Sequence, residues 1–477
     1  MPETLSALDA TFLELEQVDQ GALMSIGGTM VFDAVDGRVP GVEELRELLA
    51  QRIGALPRYT QRLSAVRTGR FALPHWEADP HFEIRHHVRH AALPAPGGDR
   101  ELCEWTADFF SHPLDRARPL WEVVLLEGLE HGRWALAHKV HHCLVDGVGS
   151  VDLVDLLFDE QPGQATHKDL TTTGAAKHPS RRPSIHPPEA LAQAAGAGAH
   201  ASRGALHSAL HPRDALERSR ALLDLLVQDE LVGAPHTSLN VPIGQTRRFA
   251  LVRAGSLADL KACGRALGGS FNDVMLSACA GGLRRLLIER GESLPVQGLR
   301  AMVPVNIRVD AERRELGNRV SSLFVDLPVA EPIPAVRFAQ IAGRTERLKA
   351  GRAARGPTAM LDLAALAPPI VTEATVALTA LSTRLFNVTI TNVPGSPDPV
   401  YALGAPMREV LPIVPLAADH AVGIAILTYN GAVSIGINAD CDSVPDLDVL
   451  ARGIEDSLEE LRGLIPANAV QAADYYW

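Results

Sequence analysis

At 477 residues the chain exceeds one ordinary core, and two domains of about 200 residues are expected. A hydrophobic share of 46% beside 21% charged residues is that of a globular protein. The net charge of −12 argues against nucleic acid as a partner.

In chain order, Val42, Leu45, Leu48, Leu49 and Ile53 recur at helical spacing after Pro40. Leu102, Trp105 and Phe109 do so after the Pro96-Gly97-Gly98 turn. Trp121 to Leu126 and Trp134 to Val140 read as strands joined by a turn at Glu130-His131-Gly132. A helix capped by Ser150 is expected through Val151, Leu153, Val154, Leu156 and Leu157. From Gln161 to about Arg213 the composition turns to Ala, Gly, Pro, His, Ser and Thr, as in a linker or long crossover. Its basic residues between Lys168 and Arg220 suit an anionic lipid surface, although a solvated linker is the simpler expectation. Leu216, Leu222, Leu223, Leu225 and Leu226 then mark an amphipathic helix. Beyond Pro242 mixed patterns resume. Ser270-Phe271-Asn272-Asp273 precedes an apolar helix, and strand-like runs follow at 301–305, 320–325, 387–390, 421–427 and 432–437. The expected domains are therefore 1–160 and 239–477, each around its own core, with 161–238 between them.

Chemistry concentrates at His141-His142-Cys143-Leu144-Val145-Asp146-Gly147, where a strand ends. Side chains alternate along a strand, so Trp134, Leu136, His138, Val140 and His142 share one face while Lys139 and His141 share the other. A histidine held on the apolar face at a strand end can still reach a cavity, which is where a general base would sit. Most such histidines are structural, and that reading stands beside it. A metal site is disfavoured: His138 and His142 would stand roughly 13 Å apart at about 3.3 Å per residue. Zinc ligands must all reach within about 2.1 Å of one ion. The cluster His86, His87 and His90 reads as surface.

Other motifs fail. Gly196-Ala197-Gly198-Ala199-His200-Ala201 fits a dinucleotide pattern by letter but lies in the linker. No P-loop and no G-x-S-x-G elbow occurs, so a covalent acyl-enzyme is not suggested. The five cysteines are scattered without a C-x-x-C pair, as in a reducing compartment. The start, Met-Pro-Glu-Thr, lacks signal-peptide character, and no run approaches about 18 uninterrupted apolar residues. Membrane contact is expected to be peripheral.

The chain resembles the bacterial wax ester synthase/diacylglycerol acyltransferase family over nearly its whole length. His141-His142-x-x-x-Asp146-Gly147 matches the family's active-site motif, and Pro113-Leu114-Asp115-Arg116 with Pro119-Leu120-Trp121-Glu122 matches its Pro-Leu-Trp block. Asn272-Asp273, Leu5-Ser6-Ala7-Leu8-Asp9, Val303 to Arg308, Gly317-Asn318 and Thr391-Asn392-Val393-Pro394-Gly395 are further correspondences. Ser25 is a departure, since relatives often carry His there.

The resemblance implies an α/β fold of two chloramphenicol acetyltransferase-like domains with the reaction site in a channel between them. It implies a long-chain acyl-CoA as donor substrate, with diacylglycerol or a long-chain alcohol as acceptor, and no cofactor or metal. His142 is the expected general base, and Asp146 is expected to pair with Arg308 and order the loop. His141 and Gly147 would support that loop. Trp121 is expected to pack beneath it. Asn272 and Asp273 either cap their helix or line the channel, and backbone amides near Gly147 or the side chain of Asn392 are candidate oxyanion donors. Arg300, Arg308, Arg313, Arg314 and Arg319 could meet coenzyme A phosphates, but the acidic residues among them favour a solvated face. The expected location is the cytoplasm, on the inner membrane face or on lipid inclusions. Rival readings are a related acyltransferase acting on a secondary metabolite or carrier-bound chain, and a non-catalytic lipid-surface protein.

Overall fold

The computed structural model describes residues 5, 7–19, 21–64, 74–144, 157–162, 233–306, 320–355 and 385–465. Asp146, Gly147, Arg308, Arg313, Arg314, Arg319, the expected Ser150 cap with most of its helix, and almost all of 161–238 lie outside these residues.

The first part of the chain runs α1 (Ala7–Val18), β1 (Ser25–Phe32), α2 (Val42–Arg52), β2 (Gln61–Leu63), β3 (Trp76–Ala78), α3 (Ile84–His87), β4 (Val88–Ala92), α4 (Asp99–Ser111), β5 (Trp121–Glu127) and β6 (Trp134–His141). The remainder runs β7 (Arg247–Ser256), α5 (Leu257–Ala266), α6 (Phe271–Glu289), β8 (Leu299–Asn306), β9 (Val320–Leu327) and α7 (Pro334–Arg355). It ends with β10 (Val388–Pro394), β11 (Tyr401–Ala402), β12 (Ala405–Ile413), β13 (Val422–Tyr429), β14 (Ala432–Asp440) and α8 (Leu447–Gly463).

Two six-stranded mixed sheets organise these elements, in the orders β11-β12-β1-β6-β5-β4 and β7-β14-β13-β10-β8-β9. The second sheet takes every strand from the later part of the chain. The first does not close on early residues alone, because β12 pairs antiparallel with β1, setting Gly28 against Pro412 and Met30 against Val410. This differs from the sequence expectation that each half builds its own core. Without β12, the outer edge of β1 would present unpaired amides and carbonyls, and the borrowed strand covers it.

The alternation expected of β6 is present. Ala135 and Ala137 pack with Phe109 and Phe110 of α4, while Trp134 stacks on Phe32 at 4.4 Å on the other side. Helix α6 begins where the sequence indicates, with Ser270 as N-cap and a capping box to Asp273. It lies in a continuous apolar core with α8 and the second sheet.

Candidate active site

His142 leaves the end of β6 in a turn, and its N–H donates to Met24 O at 2.8 Å. The ring stacks on Phe12 of α1, with centroids 4.0 Å apart and planes inclined by 27°. Its Nδ1 faces inward without a hydrogen-bond partner among the described residues, although the residue keeps some accessible surface. Nε2 is therefore the nitrogen open to a reactant. Burial, followed by the neighbouring His141, pushes the imidazole below its usual range, against the opposing pull of its own carbonyl. It is neutral at pH 7 and can accept a proton.

His141 is buried and, like His142, meets α1. Its N–H donates to Leu120 O at 3.0 Å, and the Cys143 amide donates to its Nδ1 at 3.1 Å. Because Nδ1 accepts, the ring hydrogen must sit on Nε2, which faces Glu16 Oε1 at 3.5 Å. At that separation the ring nitrogen faces the carboxylate without a close hydrogen bond.

Glu16 is a site residue that sequence reasoning missed. Its Oε1 accepts from Met24 N–H at 2.9 Å and its Oε2 from Arg116 at 2.7 Å. Burial alone would raise this carboxyl, but His141, Arg116 and the Met24 amide outweigh it and hold it at about 2. Arg116 of the Pro-Leu-Asp-Arg block thus anchors the acid that faces His141. Met24 links both histidines, since its N–H meets Glu16 and its carbonyl meets His142. Ser25, the departure from the family pattern, lies opposite His141 in register, and its hydroxyl is buried without a hydrogen-bond partner among the described residues.

Gly27 makes room for this arrangement. Its φ is +154°, and a Cβ there would strike the carbonyl of His138 on the adjacent strand. His138 keeps accessible surface while burial pulls its imidazole down to about 4. Cys143, next to the candidate base, is pushed far above the ordinary thiol range by burial, then by Asp9 and Glu16, which disfavours its thiolate.

Trp121 is buried, pairs with Val140 across β5 and β6, and donates its indole N–H to Tyr59 O at 2.7 Å. His87 corrects the reading of 86, 87 and 90 as a surface cluster. It is 3% exposed, stacks on Trp121 at 4.6 Å and bonds Trp121 O through Nδ1 at 2.9 Å. His86 and His90 are exposed beside Glu83 and Glu127.

The second-sheet candidates form their own group. Asn392 on β10 donates from Nδ2 to Asn272 Oδ1 on α6 at 3.4 Å. The carboxylate of Asp273 is fully engaged in holding its helix. One oxygen takes the N–H and hydroxyl of Ser270, both at 2.7 Å, and the other takes the Thr345 hydroxyl at 2.6 Å. Of the two roles open for Asp273, capping describes its contacts. Arg300 is not on a solvated face; it is 8% exposed and pairs with Asp326 across β8 and β9 at 2.7 Å. Cross-strand opposition brings the two charges together where the sequence shows only a mixed run.

No group of three or more potential metal ligands occurs among the described residues. A cleft of 1010 Å³ runs along β7 and β12, but it contains no residue of the His motif. Its Arg253 is committed to Asp99 and Glu409.

Comparison with known proteins agrees with these blocks. Residues 5–275 match the wax ester synthase/diacylglycerol acyltransferase catalytic domain, and residues 316–462 match the WS/DGAT C-terminal domain. The probable diacylglycerol O-acyltransferase tgs1 of Mycobacterium tuberculosis H37Rv is 34% identical over 461 residues, covering 96% of this chain and 95% of that protein. The solved wax ester synthase/diacylglycerol acyltransferase from Marinobacter aquaeolei VT8 superposes with a TM-score of 0.71 at 28% identity, covering 98% of this chain and 100% of that one. The first condensation domain of the calcium-dependent antibiotic synthetase shares the fold, with a TM-score of 0.59 at 18% identity and 99% of both chains covered. The chain belongs to the wax ester synthase/diacylglycerol acyltransferase family and is an acyltransferase.

Proposed function

We propose that the protein transfers a long-chain acyl group from acyl-CoA to the hydroxyl of diacylglycerol or of a long-chain alcohol, with His142 as general base. The observation that carries this reading is a largely buried imidazole, stacked on Phe12 and tied through its amide to Met24, with Nε2 left to meet a reactant. Nε2 takes the acceptor's proton as its oxygen attacks the thioester carbonyl. The tetrahedral intermediate then collapses with cleavage of the C–S bond, and the imidazolium returns the proton to the departing thiolate.

General-base action supplies about 10²–10⁴-fold, and holding the two substrates together supplies much of the rest. Transfer is direct. The high thiol of Cys143 supports this, because the cysteine beside the base is protonated and buried. Asn392, already oriented by Asn272, is the candidate second-sheet donor to the oxyanion. Neither a metal nor a cofactor has a role in the scheme.

No helix among the described residues is long and apolar enough to cross a membrane. The acceptors are lipids, so we place the working enzyme at the cytoplasmic membrane face or on lipid inclusions, bound peripherally. Co-sedimentation with anionic vesicles tests that placement.

The deciding experiment offers palmitoyl-CoA with diacylglycerol or hexadecanol to the parent and to H142A, and resolves the neutral lipids formed. The parent makes triacylglycerol or wax ester, and folded H142A makes neither. Substantial turnover by H142A would remove His142 from this role.

A further inference from the structure

The segment Gly21–Met24, which enters β1, is held from the second sheet by one buried guanidinium. Arg247, the first residue of β7, is 5% exposed. It donates to Gly21 O and, at 2.6 Å, to Gly244 O. Its carboxylate neighbour Asp440 stands 3.9 Å away and is itself engaged by Gly244 N–H at 2.8 Å and by Ser443. The Arg247 amide also donates to Ser111 Oγ at the end of α4, at 2.8 Å. Burying an arginine mainly against main-chain carbonyls is expensive compared with an exposed pair. At the far end of β7 the half-exposed Arg253 joins Asp99 and Glu409 without such burial.

What Arg247 holds leads directly to the reacting group. Gly21 O also accepts from Leu23 N–H at 3.0 Å, and Ala22, Leu23 and Met24 are all buried. Met24 then bonds Glu16 through its amide and His142 through its carbonyl. Gly21 itself is seated so closely that a Cβ would strike the carbonyls of Ile243 and Gly244. A shift at Gly21 therefore has little room to dissipate before it reaches the His142 amide.

We propose that Arg247 is a positioning residue for acyl transfer: from the second sheet it fixes Gly21, and through Gly21–Met24 it fixes the backbone of His142. The proposal rests on the reading of His142 as base.

The test compares the full-length parent with R247M, R247K, G21A, R253M and H142A, using palmitoyl-CoA and hexadecanol or diacylglycerol. Misplacing a catalytic group by an ångström costs about 10²-fold, so R247M and G21A should lose at least about tenfold in kcat. Their KM values should stay within about threefold, as expected when transition-state rather than ground-state interactions are lost. R247K, which can still reach one carbonyl, should recover part of the loss. R253M loosens the same strand at its other end and should keep the parental kcat. Should R247M fail to fold, G21A and R247K carry the comparison. Parental kcat in folded R247M, or a loss no greater than that of R253M while H142A is inactive, overturns the proposal alone. Turnover by H142A overturns the base reading and the proposal with it.

Discussion

Glu16 and His141 face each other at 3.5 Å between α1 and the end of β6, each almost without exposed surface. The carboxylate receives Arg116 and the Met24 amide, while the ring receives the Cys143 amide. Together they brace the turn that carries His142. The first histidine of the motif thus shapes the backbone, and the second does the proposed chemistry.

Replacing Glu16 by Gln keeps the shape but removes the charge that Arg116 and the His141 N–H face. Loss of a carboxylate that orients a metal-bound histidine costs roughly 10- to 100-fold in activity, and a similar scale is expected for this metal-free contact. E16Q should show that fall in kcat with its secondary structure retained by circular dichroism. The parent should also lose stability in acid: the Glu16 contribution is complete above its ordinary value of 4.5 and disappears as pH falls through about 2. E16Q should lack this component. An E16Q enzyme with parental kcat would dissociate the contact from catalysis.

Phe12 covers one face of the His142 ring. Burial is the main cause of its depressed pKa, with His141 next, and Glu16 and Arg116 complete the charged surroundings of the pair. F12A should readmit water and move His142 up toward 6.5. The acidic limb of the kcat/KM profile, which reports the free enzyme's base, should shift to higher pH. An unmoved limb in F12A would argue that another group controls it.

Asp273 and Asn272 should separate cleanly. D273A removes the partner of Ser270 and Thr345, and loss of a helix cap costs about 0.5–2 kcal/mol. Its urea midpoint should fall. N272A leaves the cap intact and should keep that midpoint while lowering turnover, because it releases Asn392. Equal destabilisation of both variants would make Asn272 a structural residue.

Local pattern makes some of this legible in the sequence. Trp121 to Leu126 and Trp134 to Val140 read as strands from their residue types, but β6 ends at His141, and both motif histidines meet α1, at Glu16 and Phe12. Strand β12 is opaque in the sequence because Pro406 and Pro412 interrupt it, and its place in the first sheet is set by pairing with the distant β1. His87 reads as surface because it stands among Arg85, His86, Arg89 and His90, whereas its environment is set by Trp121 from another strand. Glu16 gave no signal beyond an acid in an apolar stretch, Phe12-Leu13-Glu14-Leu15-Glu16. Its role depends on where α1 lies against β6, which no local rule supplies.

Lys139 offers the sharpest test of the sheet's other face. It is 1% exposed, donates to Phe109 O at 2.8 Å and to His112 O at 2.9 Å, and has Glu122 at 3.5 Å. The ammonium therefore satisfies carbonyls at the end of α4, an arrangement that a helix C-terminus favours. Burial pulls it down to about 8 despite the attraction of Glu122. K139M strands those carbonyls, and each buried unsatisfied group costs about 1–3 kcal/mol, so its unfolding midpoint should fall at pH 7. Between pH 8 and its ordinary value of 10.5 the unfolded chain binds a proton that the folded chain has released. Parental stability therefore gains with pH across that window, relative to a variant with no amine. Denaturation at pH 7 and pH 10 should show the gap between parent and K139M widening. A gap that narrows would mean that Lys139 is not desolvated as its contacts indicate.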